Sequence, residues 1–203
     1  MRIAIMVEGK TERAFIPYLR DFLRNRLAGN MPRISTLRYD GRIPKADKLR
    51  RIVENLLADR RSAADAVIAL TDVYTGKNDF ADAADARARM KMWVGNVATF
   101  FPHAAQHDFE AWLLPYWDDI KRSVRGNRSS PGDNPEAVDH NNPPSKRLDE
   151  LYRTSGKKKH YVKERDARAI LKGKDLMVAI NACPELKAFV NTILRISGGS
   201  QIP

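Results

Sequence analysis

Met1–Leu27 reads MRIAIMVEGKTERAFIPYLRDFLRNRL. The apolar run Ile3–Val7 stops at Glu8-Gly9, and apolar residues then recur at helical spacing: Phe15, Tyr18, Leu19, Phe22, Leu23 and Leu27. A short run followed by a three- and four-residue period predicts a buried strand and then a helix lying on a sheet. Thr11 is the expected N-cap, with Pro17 bending the helix or shifting its start. A carboxylate on the last position of such a strand, followed by glycine and a helix, is where open α/β sheets place their chemistry.

The same alternation continues. Ile34–Tyr39 reads as a second strand, and Leu49, Ile52, Val53, Leu56 and Leu57 as a second amphipathic helix. Ala66–Leu70 is the clearest strand and ends in Thr71-Asp72. Asp79–Phe100 is alanine-rich and reads as mostly helical. Pro102–Gln106 reads as a weaker strand running into His107-Asp108-Phe109-Glu110, with helix over Ala111–Trp117. Four alternations of strand and helix predict an α/β fold with a mostly parallel sheet flanked by helices. Val124–Ser145 reads as a long loop, and Ser145–Tyr152, Arg165–Leu171 and Glu185–Ile196 as helices. With no solenoid repeat and no linker, residues 1–203 are expected to form a single domain. It would comprise an α/β core over 1–120, a long loop over 121–145 and a basic helical C-terminal extension over 146–203.

Composition narrows the classes. With 203 residues, 43% hydrophobic and 30% charged, the chain has the make-up of a globular domain rather than a disordered one. No apolar run approaches the length of a membrane span, and Met1 leads into a strand without a signal-like stretch. The single cysteine, Cys183, excludes an internal disulfide framework and suits a reducing, cytoplasmic setting; its apolar neighbours predict a packed thiol. Thirty-six basic residues against 25 acidic give a net charge of +11, and Lys146–Lys174 alone holds eleven Lys/Arg. Such a surplus favours polyanionic partners, nucleic acid first.

Against that basic background, acidic residues close the predicted strands: Glu8 the first, Asp72 the third, Asp108 and Glu110 the fourth. In a parallel sheet the C-terminal strand ends share one edge, so these carboxylates are expected in one cleft. Clustered carboxylates repel unless a proton or cation intervenes, and oxygen donors without cysteine favour Mg²⁺ or Mn²⁺ over zinc. Any one of them taken singly is more often a helix cap or turn former; the coincidence at three strand ends favours the functional reading.

These residues also carry a resemblance. Val7-Glu8-Gly9-Lys10-Thr11-Glu12 resembles the E-G-x-T-E signature that opens Toprim-like domains, the fold shared by primases, topoisomerases and overcoming-lysogenization-defect nucleases. There the first-strand glutamate works with an aspartate motif at the third strand to bind divalent metal and cut or join phosphodiesters. Glu8 matches the glutamate and Asp72 the first aspartate, whereas Tyr74 stands where the second aspartate of D-x-D belongs. More closely, the chain is similar to a bacterial family of unknown function with a Toprim-like core. The match runs through Glu8–Glu12, Asp72-x-Tyr74, Asp79-Phe80, His107-x-Phe109-Glu110-Ala111, Pro144–Arg147 and Ala182–Pro184. The resemblance implies a nuclease-like core acting on DNA or RNA. It also implies an AAA- or ABC-type ATPase encoded nearby as a partner, and a part in antiphage defence.

On this reading Glu8, Asp72 and Glu110 hold Mg²⁺ or Mn²⁺. Glu12, one turn on, either orients a metal-bound water or is a first-turn glutamate favoured by the helix dipole. His107 is a candidate general base or phosphate donor, the alternative being a structural histidine. Lys146 and Arg147, opening a helix at Ser145, are the choice for phosphate contacts. Lys157, Lys158, Lys159 and Lys163 form the expected patch for a nucleic-acid backbone, against the alternative of a solvated charge run. A rival from another class is a non-catalytic module that keeps the shape and binds nucleic acid or an ATPase.

Overall fold

The computed structural model describes the chain except residues 28, 40, 75–78, 138–140 and 156–158. Strand β1 (Arg2–Val7) leads into helix α1 (Lys10–Arg26), and β2 (Arg33–Arg38) into α2 (Ala46–Ala58). β3 (Ala66–Asp72) leads into α3 (Ala83–Val94), and β4 (Phe100–Ala105) into a 3-10 helix, Phe109–Tyr116, continued by α4 (Trp117–Val124). Then come α5 (Pro144–Arg153), α6 (Lys163–Leu171), α7 (Leu176–Ala182) and α8 (Pro184–Ile196).

Among the described residues the strands form one sheet in the order β2-β1-β3-β4, every pairing parallel. The fold is thus α/β, as the alternating pattern predicts. Period-two burial sorts the layers. Ile3, Ile5 and Val7 of β1 face a core shared with α1 and the C-terminal helices, including Phe15, Leu19, Trp112 and Phe189. Ala4 and Met6 face the other side, against Leu49 and Val53 of α2 and Met90 of α3. Helix α1 therefore covers one face while α2 and α3 cover the other. The chain reverses between β1 and β3, and the loops leaving these two strands diverge to opposite faces. Such a switch point opens a crevice beyond the strand ends.

Local details correct several expected boundaries. Helix α1 starts before Thr11, because Gly9 takes the N-cap position and Glu12 Oε1 accepts the Gly9 amide at 3.1 Å. Pro17 lies inside α1 on its exposed side without ending it. Helix α3 is shorter than Asp79–Phe100: Asp82 Oδ1 accepts the Asp85 amide at 2.7 Å, and Gly95, at φ +81°, ends it. The residues freed at the C-terminal end give β4 its start at Phe100. The helix expected over Ala111–Trp117 is 3-10 as far as Tyr116, in a segment over Phe109–Tyr116 that holds Pro115, and becomes α-helical at Trp117. Helix α7, seven residues long, was not anticipated, since two turns show too little period to detect.

The described part of the Val124–Ser145 stretch is tied down. Glu136, in a short 3-10 turn, accepts the Trp112 indole N–H at 3.0 Å and the Glu185 amide at 3.1 Å. Cys183 is fully buried, and burial pushes its thiol up, as a packed side chain requires. Among the described residues no helix is long and apolar enough to cross a membrane.

Candidate metal centre at the sheet edge

The crevice at the β1/β3 switch point is a cavity of about 550 Å³ whose lining includes Glu8, Glu12, Asp72, Tyr74, Asp108 and Lys163. Each carboxylate arrives by a different local device. Glu8 follows the last residue of β1; its Oε1 accepts the Thr71 hydroxyl and, at 3.4 Å, the Ile43 amide. Asp72 closes β3, one register step from Thr71. Glu12 is folded back over Gly9, where a Cβ would lie 2.9 Å from its Oε2, so glycine is what allows that approach.

Asp108 is turned into the cleft by the residue before it. His107 holds φ +67°, a left-handed conformation uncommon outside glycine, and its carbonyl accepts the Tyr74 amide at 2.7 Å. This hydrogen bond ties the ends of β3 and β4 together. Ser145, at the start of α5, then donates its amide at 3.1 Å and its hydroxyl at 2.6 Å to Asp108 Oδ2. The N-terminal end of α5 is thus already occupied by an anion of the protein itself.

Glu110 is fully buried behind this lining. Its Oε1 accepts the Thr11 hydroxyl at 2.8 Å and lies 3.6 Å from Lys163 Nζ. Lys163 begins α6 and reaches the cleft with about half of its side chain exposed.

Five carboxylates in a space this size strain one another electrostatically. Burial, and then the Glu12 charge, push Glu8 up to about 7 against the hydrogen bonds from Thr71 and Ile43. Burial, reinforced by Glu110, pushes Asp108 up to about 7. Asp72 is raised well above the carboxylate range by burial and then by Glu12, Glu8, Asp108 and Glu110; Glu12 is raised by burial and Glu110. For Lys163, burial pulls downward, but Glu110, Asp72, Asp108 and Glu12 outweigh it and raise the ammonium. Shifts of this kind follow from burying like charges together without enough positive charge to offset them.

The donors suit a hard divalent cation. Glu8 Oε2, Asp108 Oδ1 and Glu110 Oε2 are buried oxygens with no hydrogen-bond partner among the described residues, each an unmet cost. Among the described residues no three ligating side chains already stand together as a closed set. Mg²⁺ does not need one, since it keeps waters and takes one or two carboxylates plus substrate phosphates. Two lysine ammonium groups, Lys10 and Lys163, against five carboxylates leave the cleft short of positive charge among the described residues.

The structure brings Glu8, Asp72, Glu12 and Lys163 into one cleft and sets Glu110 immediately behind it. His107 is buried beside the cleft but absent from its lining. Lys146 Nζ and Arg147 Nε instead donate to the carbonyls of Asn141 and Asn142, at 3.4 and 3.2 Å. Lys157 and Lys158 lie outside the described residues, and Lys159 lines a separate cavity beside Tyr152 and Asp166. Asp108 is the cleft residue absent from the expected ligand set. Its position at the end of β4 was visible; that it, rather than Glu110, lines the cavity depends on the His107 turn.

A family model described as "Domain of unknown function (DUF4276)" matches residues 7–194. No curated protein matches the chain. Among solved structures, the C-terminal region of the Burkholderia pseudomallei OLD protein is similar at 17% identity and a TM-score of 0.54, over 97% of this chain and 98% of that one. The C-terminal region of the Xanthomonas campestris pv. campestris OLD protein aligns at 15% identity and a TM-score of 0.44, over 96% of each chain. At such identities the Burkholderia likeness shows a shared fold and no more.

Proposed function

For a chain that belongs to the DUF4276 family, we propose that the β1/β3 cleft is the active site of a divalent-metal-dependent, phosphodiester-processing nuclease acting on nucleic acid. The observation that carries this is the convergence of Glu8, Asp72 and Asp108 from three parallel strand ends, with two of the unpartnered oxygens among them, at the switch point of the sheet. The fold likeness to the C-terminal region of an OLD protein and the Toprim-like signature at Glu8–Glu12 support the same reading.

Glu8, Asp72 and Asp108 would hold Mg²⁺ or Mn²⁺, with Glu110 behind them. When bound, the cation would supply charge for a phosphoryl oxygen and ease attack on phosphorus. The chain's own contributions are distinct. Lys163 places an ammonium at the cleft, where charge develops on a transferring phosphoryl group. Thr71 and Ser145 fix the carboxylates they touch, leaving one oxygen of Glu8 and one of Asp108 for a ligand. Glu12, held by Gly9, stands where it can orient a water.

A second reading has its own observation: Tyr74 contributes to the cleft wall at the position of the missing aspartate. It corresponds to a non-catalytic module binding nucleic acid or an ATPase. In either reading, an AAA- or ABC-type ATPase partner and a role in antiphage defence belong to the proposal through the family resemblance.

The test is incubation of purified protein with labelled single- and double-stranded DNA and RNA, in Mg²⁺, Mn²⁺ or chelator. Cleavage is expected with metal and lost with chelator and in Glu8→Ala and Asp72→Ala. No turnover on any substrate, with or without a candidate ATPase, would leave the non-catalytic module.

A further inference from the structure

Two further concavities continue from the acidic cleft across the α1–α6 surface. The first, about 580 Å³, shares Lys10 and Lys163 with the cleft and adds Glu164 and Arg168. The second, about 430 Å³, shares Arg168 and is lined by Arg13, Arg20 and Arg38 together with Ile16, Pro17 and Thr36. The shared residues make the three one continuous groove, acidic at one end and basic along its length.

The basic side chains are set by helix periodicity. Lys10, Arg13, Pro17 and Arg20 follow one another at three- and four-residue steps, so they form a stripe along α1. Ten residues of helix make that stripe roughly 15 Å long. Arg38, at the end of β2, and Arg168, on α6, flank it. Arg20 is anchored through its Nη2 to the Ile34 carbonyl at 2.5 Å, and Arg168 through its Nη2 to Glu164 at 3.1 Å. Arg13 and Arg38 are near enough to depress the Glu164 carboxyl, after Arg168. Lys10, Arg13, Arg38 and Arg168 are exposed. Among the described residues Glu164 is the one carboxylate in the lining of the two basic concavities.

We infer that this arginine trough is the track of the nucleic-acid backbone, delivering a phosphodiester past Lys10 and Lys163 to the carboxylates. The inference rests on the acidic cleft being the reaction site, and it names the surface that presents substrate to it. The charge order supports it: a polyanion is held by guanidinium groups up to the edge of a site that would otherwise repel it. Among the described residues no Phe, Tyr or Trp lines either basic concavity, which favours contact with phosphates, indifferent to sequence. At one phosphate of a strand per roughly 3.4 Å of duplex axis, a stripe of about 15 Å laid along that axis spans about four phosphates. Of the Lys157–Lys159 run, Lys159 lines a neighbouring cavity that touches the first basic concavity at Arg165, and Lys157 and Lys158 lie outside the described residues.

The experiment is fluorescence anisotropy of labelled oligonucleotides with the full chain in chelator, where turnover cannot interfere, across a salt series. Arg13→Glu, Arg38→Glu and Arg168→Glu combined should weaken binding at least about tenfold, with each change lowering the magnitude of the salt slope by about one. Single Arg→Gln changes, checked by thermal unfolding, guard against a misfolded triple variant and should each weaken binding. Charge reversal at Lys159 should leave affinity within about twofold. Unchanged affinity and slope in the trough variants would overturn the inference, as would equal binding of poly-glutamate of matched charge, which would make the trough a seat for an acidic protein. If no substrate is cleaved yet the trough variants lose binding, the track stands while the nuclease reading falls.

Discussion

Ser145 grips Asp108 with two hydrogen bonds to the same carboxylate oxygen, from its amide at 3.1 Å and its hydroxyl at 2.6 Å. The partners are 37 residues apart, and the contact ties the first turn of α5 to the end of β4. It leaves Asp108 Oδ1 buried and, among the described residues, unpartnered at the cleft.

Removing the hydroxyl should therefore be felt twice. Ser145→Ala takes away a hydrogen bond to a buried carboxylate, a change that costs about 1.5–3 kcal/mol where the acceptor is ionised. Ser145 also holds the Asp108 carboxyl down against burial and Glu110, so without it Asp108 rises further. Denaturant unfolding at pH 8 should show the loss of stability, and the rising limb of the cleavage pH profile should move to higher pH. An unmoved profile would mean that Asp108 does not titrate in the reaction.

The opening stretch already held the anchor of this site, because Glu8 interrupts an apolar run and strand-end chemistry is local. Asp72 was legible for the same reason, as was the parallel sheet, whose alternating periods need no tertiary knowledge. The grip of Ser145 on Asp108 was not legible, since it depends on where α5 docks after a long irregular segment. Nor was the choice between Asp108 and Glu110. One left-handed residue and a 3-10 segment decide which of the two lines the cleft, and neither leaves a periodic signature. Lys163 reads as one basic residue among many until α6 is laid against α1. Lys146 and Arg147 show the converse: a basic pair at a helix start whose first amide is already taken by an aspartate.

His107 supplies a turn, and this separates two roles for it. Its φ of +67° and the bond from the Tyr74 amide to its carbonyl are backbone properties that asparagine, tolerant of the left-handed region, reproduces. His107→Asn should keep cleavage within about threefold of the parent. A general base would instead be worth about 10²–10⁴ in rate. A β-branched replacement such as His107→Val should disturb Asp108 and lower activity even though it too removes the imidazole. Initial rates for the parent and both variants, at saturating metal, distinguish a residue acting through its backbone from one acting through its ring.

The raised carboxyls give the metal-free protein an unusual pH dependence. In the folded chain Glu8 and Asp108 are held up to about 7, from ordinary values of 4.5 and 3.8. Between those limits the native state binds more protons than the unfolded chain, so stability falls as pH rises. Their contribution is fully present below about pH 4 and is lost by about pH 7. Asp59, Asp85, Asp119 and Glu164, held below the carboxylate range by their partners, act with the opposite sign and weaken the fold on acidification. The cluster's share is therefore read as a difference between the parent and Glu8→Gln/Asp108→Asn. In chelator the double variant should gain melting temperature relative to the parent at pH 8 and lose that advantage at pH 5. A divalent cation binds the ionised carboxylates and stabilises the native state by mass action. Added Mn²⁺ should thus raise the parent's melting temperature at pH 8, do little at pH 5, and leave the double variant unmoved at both. Equal shifts at the two pH values, or equal shifts in parent and variant, would place the ion somewhere other than the cleft that Glu8 anchors.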